Sequence, residues 1–146
     1  MRKLFGLLAI LAGSSANAAE SPTYFPSDVP NAPFSESVEL NGILYLSGEL
    51  GNIPGTATLA PGGLAGQAKQ TMENIGATLK KHGLTYDDLF KCTVMLADMS
   101  QWAEFNKIYV GYFKPNRLPS RSAFGANGLA LGAALEVECW ARAGKK

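Results

Sequence analysis

The residues best suited to chemistry lie in 118–142, LPSRSAFGANGLALGAALEVECWAR. Arg121 comes two positions after Pro119, at the mouth of a short apolar segment, 122–126, and Glu136 stands near the start of a second, 134–141. A guanidinium offers a planar fork of donors that fits a carboxylate with two parallel hydrogen bonds, whereas a carboxylate can take and return a proton or orient a water. The Gly/Asn/Ala/Leu connection between the segments has the pattern of a β-hairpin with a longer loop. In such a hairpin the two groups meet at one end of a pocket, Arg121 holding an anionic group and Glu136 handling a proton or a water. The plainer reading is a surface ion pair contributing about 0–1 kcal/mol. Along the second segment Leu135, Val137, Cys139 and Ala141 point one way and Glu136, Glu138, Trp140 and Arg142 the other. One face is therefore core, and the other is either solvated or lines something.

Few other groups compete for a chemical role. The single His82 ends a helical pattern, where solvation or capping suffices, and one histidine nearly excludes a His-based triad or a zinc site. The glycine-rich run 50–63 holds neither Gly-Lys-Ser/Thr nor GxGxxG, so nothing in it argues for phosphate binding. Cys92 and Cys139 both fall in expected strands, close enough for a disulfide if those strands are neighbours; two buried free thiols are the alternative.

The elements that must position these groups follow from periodicity. Residues 1–18 read as a secretory leader: Arg2 and Lys3, an apolar run too short to span a bilayer, then Ala16-Asn17-Ala18. Its removal leaves 128 of 146 residues, one domain's worth, and changes 13 basic against 12 acidic side chains to 11 against 12. A formal charge of −1 without a clustered basic face is no footprint for nucleic acid. An exported chain, periplasmic or secreted, is expected, free of the membrane once the leader is gone. Residues 19–33, rich in Pro, Ser and Asn, are expected to run extended before a domain at 34–146.

Within that domain Asn41-Gly42 between apolar runs signals a tight hairpin. Leu64, Ala68, Met72, Ile75 and Leu79 make the stripe of a helix over 64–82, with Gly83 to stop it. Residues 89–96 read as a buried strand. Asp98 or Ser100 can cap a second helix over 101–113 whose stripe is Trp102, Phe105, Tyr109 and Phe113. Asn106, a poor interior helix former, is either a hydrogen-bonding residue or a surface residue without a role. Gly48 at a strand end permits close approach of a ligand, or is an ordinary terminating glycine. The order ββ-α-β-α-ββ requires some parallel pairing, with both helices on one sheet face. Because 43–46 and 89–96 look apolar on both sides, the other face calls for self-association.

With these pieces placed, the chain resembles the RidA/YjgF family of imine and enamine deaminases. The resemblance rests on LSG at 46–48, QAKQTMENI at 67–75, FNKIYVGYF at 105–113, PSRSAF at 119–124 and LEVECWA at 135–141, and it spans about residues 31–143. It implies an α+β, chorismate-mutase-like mixed sheet with two helices packed on one face, assembled as a homotrimer with the other face buried between subunits and the pockets lying there. It further implies that Arg121 clamps the substrate carboxylate and that Glu136 handles water or a proton. Phe34, Ser47, Gly48, Asn106 and Ala123 would bind substrate, without metal or organic cofactor. Departures are Phe34 where the family commonly has Tyr, Ala123 where a pocket Cys is frequent, Glu49 where Gln is common, and a loop over 125–133 lacking the usual Leu-Pro. The expected function is hydrolytic deamination of 2-imino and 2-enamino acids to 2-oxo acids and ammonia. The alternative is a trimer of the same fold that binds small carboxylates without turnover.

Overall fold

The computed structural model describes residues 20–144, so the expected leader at 1–18 lies outside the described residues. Strands β1 (Thr23–Pro26), β2 (Ser35–Leu40), β3 (Ile43–Leu46) and β4 (Glu49–Leu50) come first, then helix α1 (Gly63–Lys81), β5 (Leu89–Leu96), helix α2 (Trp102–Tyr109), β6 (Ser120–Gly125) and β7 (Leu135–Arg142). They form one mixed sheet in the order β1-β2-β3-β7-β5-β6, with β4 also pairing with β7. In the segment before residue 34, Thr23–Pro26 is extended and forms the edge strand β1, antiparallel to β2, and the chain then turns at 28–31.

Local sequence accounts for most elements. Asn41 and Gly42 both take positive φ, 52° and 72°, the pair of left-handed residues that a two-residue turn between right-twisted strands requires. The α1 stripe is buried as a unit: Leu64, Ala68, Met72, Ile75 and Leu79 are at most 4% exposed. Each large member contributes about 1.5–3 kcal/mol by leaving water. The helix closes at His82, where the Leu84 N–H returns to the Leu79 carbonyl at 2.9 Å. His82 itself caps this end and lies 3.2 Å from the Ser37 hydroxyl, with its ring edge-on to Phe25. The second helical region is three pieces, a 3-10 turn at Met99–Gln101, α2, and a 3-10 turn at Val110–Tyr112. Asp98 starts it by accepting from the Ser100 N–H at 2.9 Å. Phe105 and Tyr109 face the core, whereas Trp102, expected on the same stripe, is the first residue of α2 and is 45% exposed.

Two expectations need correction. The segments holding Arg121 and Glu136 are not a hairpin: β5 lies between β6 and β7, antiparallel to β7 and parallel to β6. A parallel β5–β6 pair cannot be closed by a tight turn, so α2 makes the crossover and β7 takes the opposite edge of β5. Nor is the helix-free face apolar along β5. Beyond Phe90, which is exposed and packs edge-on to Trp140, its outward residues are Lys91, Thr93 and Met95, half-buried beside the alternately core-facing Cys92, Val94 and Leu96, so apolar and polar groups are mixed there.

The pairing state of the cysteines follows from register. Cys92 and Cys139 are direct cross-strand partners, both fully buried, and they form a disulfide 47 positions apart in sequence. Closing a loop of that length restricts the unfolded chain. The double variant Cys92→Ala/Cys139→Ala is expected to lose about 2–4 kcal/mol in urea unfolding. An unchanged midpoint would show that the strand ladder alone sets the stability.

Candidate functional site

Arg121 lies on β6 beside Cys92 of β5, and its side chain reaches towards α2. One guanidinium nitrogen donates to Asn106 Oδ1 at 2.6 Å, and Cζ sits 4.6 Å from the ring centroid of Tyr109 and 5.6 Å from that of Phe105. Asn106 thus takes the hydrogen-bonding option left open for it. Ala123, two residues along the same face of β6, packs against the core beside this group. Among the described residues Arg121 joins no ion pair; the pairs present involve Lys81 and Lys114. A half-buried guanidinium with only a neutral amide and aromatic faces for company keeps most of its donors free for an external anion.

Glu136 lies on β7, where β4 runs alongside and Leu50 is its register partner. Between β3 and β4 the chain breaks at Ser47-Gly48. The Ser47 N–H donates to the Glu36 carbonyl at 3.0 Å and its hydroxyl to the Ser35 carbonyl at 2.6 Å. A Cβ at Gly48 would lie 1.9 Å from Glu136 Oε1, so the carboxylate rests directly on backbone that only glycine leaves bare. Partial burial raises the Glu136 carboxyl above its ordinary range, and the neighbouring Glu138 carboxylate raises it further. Phe34 immediately precedes the Ser35 carbonyl gripped by Ser47 and is 54% exposed.

The expected site residues therefore fall into two groups. Arg121, Asn106 and Ala123 form one at the β6 edge, on the face covered by helices. Glu136, Gly48 and Ser47 form the other, with Phe34 beside them. Glu136 alternates with the core residues Leu135 and Val137, so it belongs to the opposite face from Arg121. A strand and a sheet thickness separate the two charges within one chain. Tyr109 and Phe105 were legible only as packing residues, yet they wall the Arg121 group. Their signal was Asn106 and Tyr109 three positions apart on one helical face.

The chain matches the model of the family described as Endoribonuclease L-PSP over residues 26–143. The 2-iminobutanoate/2-iminopropanoate deaminase of Mus musculus is 38% identical over 106 residues, 73% of this chain and 78% of that protein. Reactive Intermediate Deaminase A, chloroplastic, of Arabidopsis thaliana is 34% identical over 135 residues, 92% of this chain and 71% of that protein. Among solved structures, the Rid family protein YyfA of Yersinia pestis superposes with a TM-score of 0.76 at 31% identity, covering 84% of this chain and 99% of that one. RidA of an Antarctic Psychrobacter species gives 0.73 at 31% identity, covering 82% and 94%.

Glu49 is a titratable group that no role in the sequence anticipates. It follows Gly48, stands opposite Val137, and accepts from the Thr78 hydroxyl of α1. Burial first, and then the Glu36 carboxylate, push its carboxyl up from 4.5 to about 7, although Lys81 and Thr78 pull the other way. The folded chain thus holds a proton that the unfolded chain releases earlier. Its contribution to stability is complete below pH 4.5 and is lost as pH rises through about 7. Glu49→Gln, which keeps the shape and cannot ionise, is expected to match the wild type at pH 4.5 and exceed it by about 1–3 kcal/mol at pH 8 in denaturant titrations. A gap independent of pH would contradict the raised carboxyl.

Proposed function

The chain belongs to the RidA/YjgF family, whose model carries the Endoribonuclease L-PSP description, and from that premise we propose that it hydrolyses 2-imino and 2-enamino acids to 2-oxo acids and ammonia. The observation that carries the reading is the half-buried Arg121 without a carboxylate partner among the described residues, in contact with Asn106 and Tyr109 only through a neutral amide and a ring. A 2-imino acid supplies the missing anion as its carboxylate. Glu136 then accepts a proton from the water that adds to the imine carbon and passes it to the nitrogen, giving a carbinolamine. The carbinolamine's hydroxyl proton follows the same route to the nitrogen, the carbon–nitrogen bond breaks, and ammonia leaves while the carbon keeps the oxygen as a carbonyl. An enamine first gains a proton at carbon, for which the same carboxyl serves. Burial, and then the Glu138 carboxylate, make the Glu136 carboxyl hold its proton more tightly than an ordinary carboxyl, which makes it a better base towards the water.

Because Arg121 and Glu136 sit on opposite faces of one sheet, the complete site is assembled from two copies. A homotrimer in which the β6 edge of one subunit meets the Gly48 region of the next fits this arrangement. The free edge of β6, with Phe124 49% exposed, and the outward Tyr45 and Trp140, 5.0 Å apart between ring centroids, supply surface for such contact. The near balance of charge argues for a small acid as the ligand over RNA. The leader expected from the sequence of 1–18, together with the disulfide, supports work in an oxidising compartment outside the cytosol, periplasmic or secreted.

A second reading, a trimer that binds small carboxylates without turnover, draws on Phe34, which offers no hydroxyl, and on Ser47, whose hydroxyl is spent on the Ser35 carbonyl. Turnover separates the readings. With imines made in place by an amino-acid oxidase, Arg121→Ala is expected to lower kcat/KM by roughly 2–5 kcal/mol of transition-state stabilisation. No acceleration by an assembled wild type would favour the binding reading. Gly48→Ala pushes the flexible end of Glu136 aside without demanding a forbidden backbone conformation. It is expected to cut kcat about tenfold or more while leaving the melting temperature within a few degrees. An unchanged kcat would place the reacting proton elsewhere.

A further inference from the structure

The contacts around Arg121 leave one partner unaccounted for. Tyr109 is 2% exposed, and its ring centroid is only 4.6 Å from the guanidinium carbon, closer than the 5.6 Å of Phe105. Its hydroxyl has no hydrogen-bond partner among the described residues. A buried tyrosine retained for its hydroxyl normally finds a partner for it, so the ring itself is the part in use. Burial also keeps the phenol neutral, pushed up to about 12 even beside the opposing charge of Arg121. The ring's negative face is therefore what the cation meets.

We propose that Tyr109 is the positioning residue for Arg121: its ring is the seat that holds the guanidinium flat, in the orientation that Asn106 fixes at one corner. This inference rests on the carboxylate-clamping role proposed for Arg121. The reason is geometric. An arginine on an edge strand has many rotamers, and a clamp needs one. Asn106 supplies a single hydrogen bond, which leaves the fork free to swing about that contact; a ring beneath it removes the swing. A carboxylate entering in the guanidinium plane then meets donors already aligned. The seat also tolerates an occupied clamp, because a π face holds the cation without consuming any of its N–H groups.

Tyr109→Phe keeps the ring, whereas Tyr109→pentafluorophenylalanine keeps its shape and removes the negative face. Both are assayed on 2-iminopropanoate made in place by an amino-acid oxidase, after light scattering has shown the wild-type assembly. The phenylalanine variant is expected to stay within about twofold of the wild type in KM, with equal or higher stability because a buried unsatisfied hydroxyl is gone. The fluorinated variant is expected to raise KM about five- to tenfold with kcat within about twofold, since the ring touches no reacting atom. Equal KM in the two variants would overturn the proposal, as would a rise in the phenylalanine variant as large as in the fluorinated one. If the wild type itself turns nothing over, the deamination reading fails separately. Calorimetric binding of 2-oxopropanoate then decides the seat, with a Kd raised by fluorination supporting it and an unchanged Kd overturning it.

Discussion

Strand β5 is the constraint on which the arrangement of this molecule depends. It is parallel to β6 on one edge and antiparallel to β7 on the other, so it separates the strand that carries Arg121 from the strand that carries Glu136. Parallel pairing demands a crossover, and α2 makes it, carrying Asn106, Phe105 and Tyr109 onto the face where Arg121 points. Alternation along β7 sends Glu136 to the other face, against Gly48 in the break between β3 and β4. Topology and strand alternation together keep Arg121 and Glu136 apart within one chain. The Cys92–Cys139 disulfide ties β5 to β7 between them.

The two halves are opposite in electrostatic character. At the β6 edge a cation stands among aromatic rings and an amide, with its charge uncompensated within the described chain. Around the β3–β4 break carboxyls gather: Glu136 beside Glu138, and Glu49 beside Glu36, with the protons of Glu136 and Glu49 held more tightly than in water. A molecule with a carboxylate at one end and a basic or protonatable carbon–nitrogen group at the other matches that polarity end to end. Lys81 bridges Asp28 and Glu36 but is too exposed for those pairs to matter much to stability, about 0–1 kcal/mol each. Their closer consequence is for Glu49, whose carboxyl would rise further without the Lys81 charge.

Local physics was readable in the sequence, and long-range pairing was not. The α1 stripe, the Asn41-Gly42 turn and the alternation along β7 each follow from a period or a pair of residues, and all are present. The family resemblance supplied the mixed sheet with two helices, and the matching solved structures bear it out. The segment 118–142 misled because a glycine-rich loop between two apolar runs describes a hairpin as well as two strands parted by a third; only the competition for β5 decides between them. Tyr109 was legible as core and not as the ring beneath Arg121, since a helical stripe says which way a side chain points and not what it meets. Glu49 could be named as unusual, but its proton affinity is set first by burial and then by the Glu36 carboxylate, which only the folded packing brings together.

Mixing two impaired variants tests most directly whether Arg121 of one copy acts with Glu136 of another. Arg121→Ala and Glu136→Gln, each expected to turn over far more slowly than the wild type, are dissociated, combined in equal amounts and reassembled. If each site takes Arg121 from one subunit and Glu136 from its neighbour, roughly a quarter of the sites regain both groups, and activity on 2-imino acids returns to about that fraction of the wild type. If the mixture stays as inactive as its components while light scattering shows mixed assemblies, Arg121 and Glu136 of neighbouring subunits do not act on one substrate, and the shared site is contradicted.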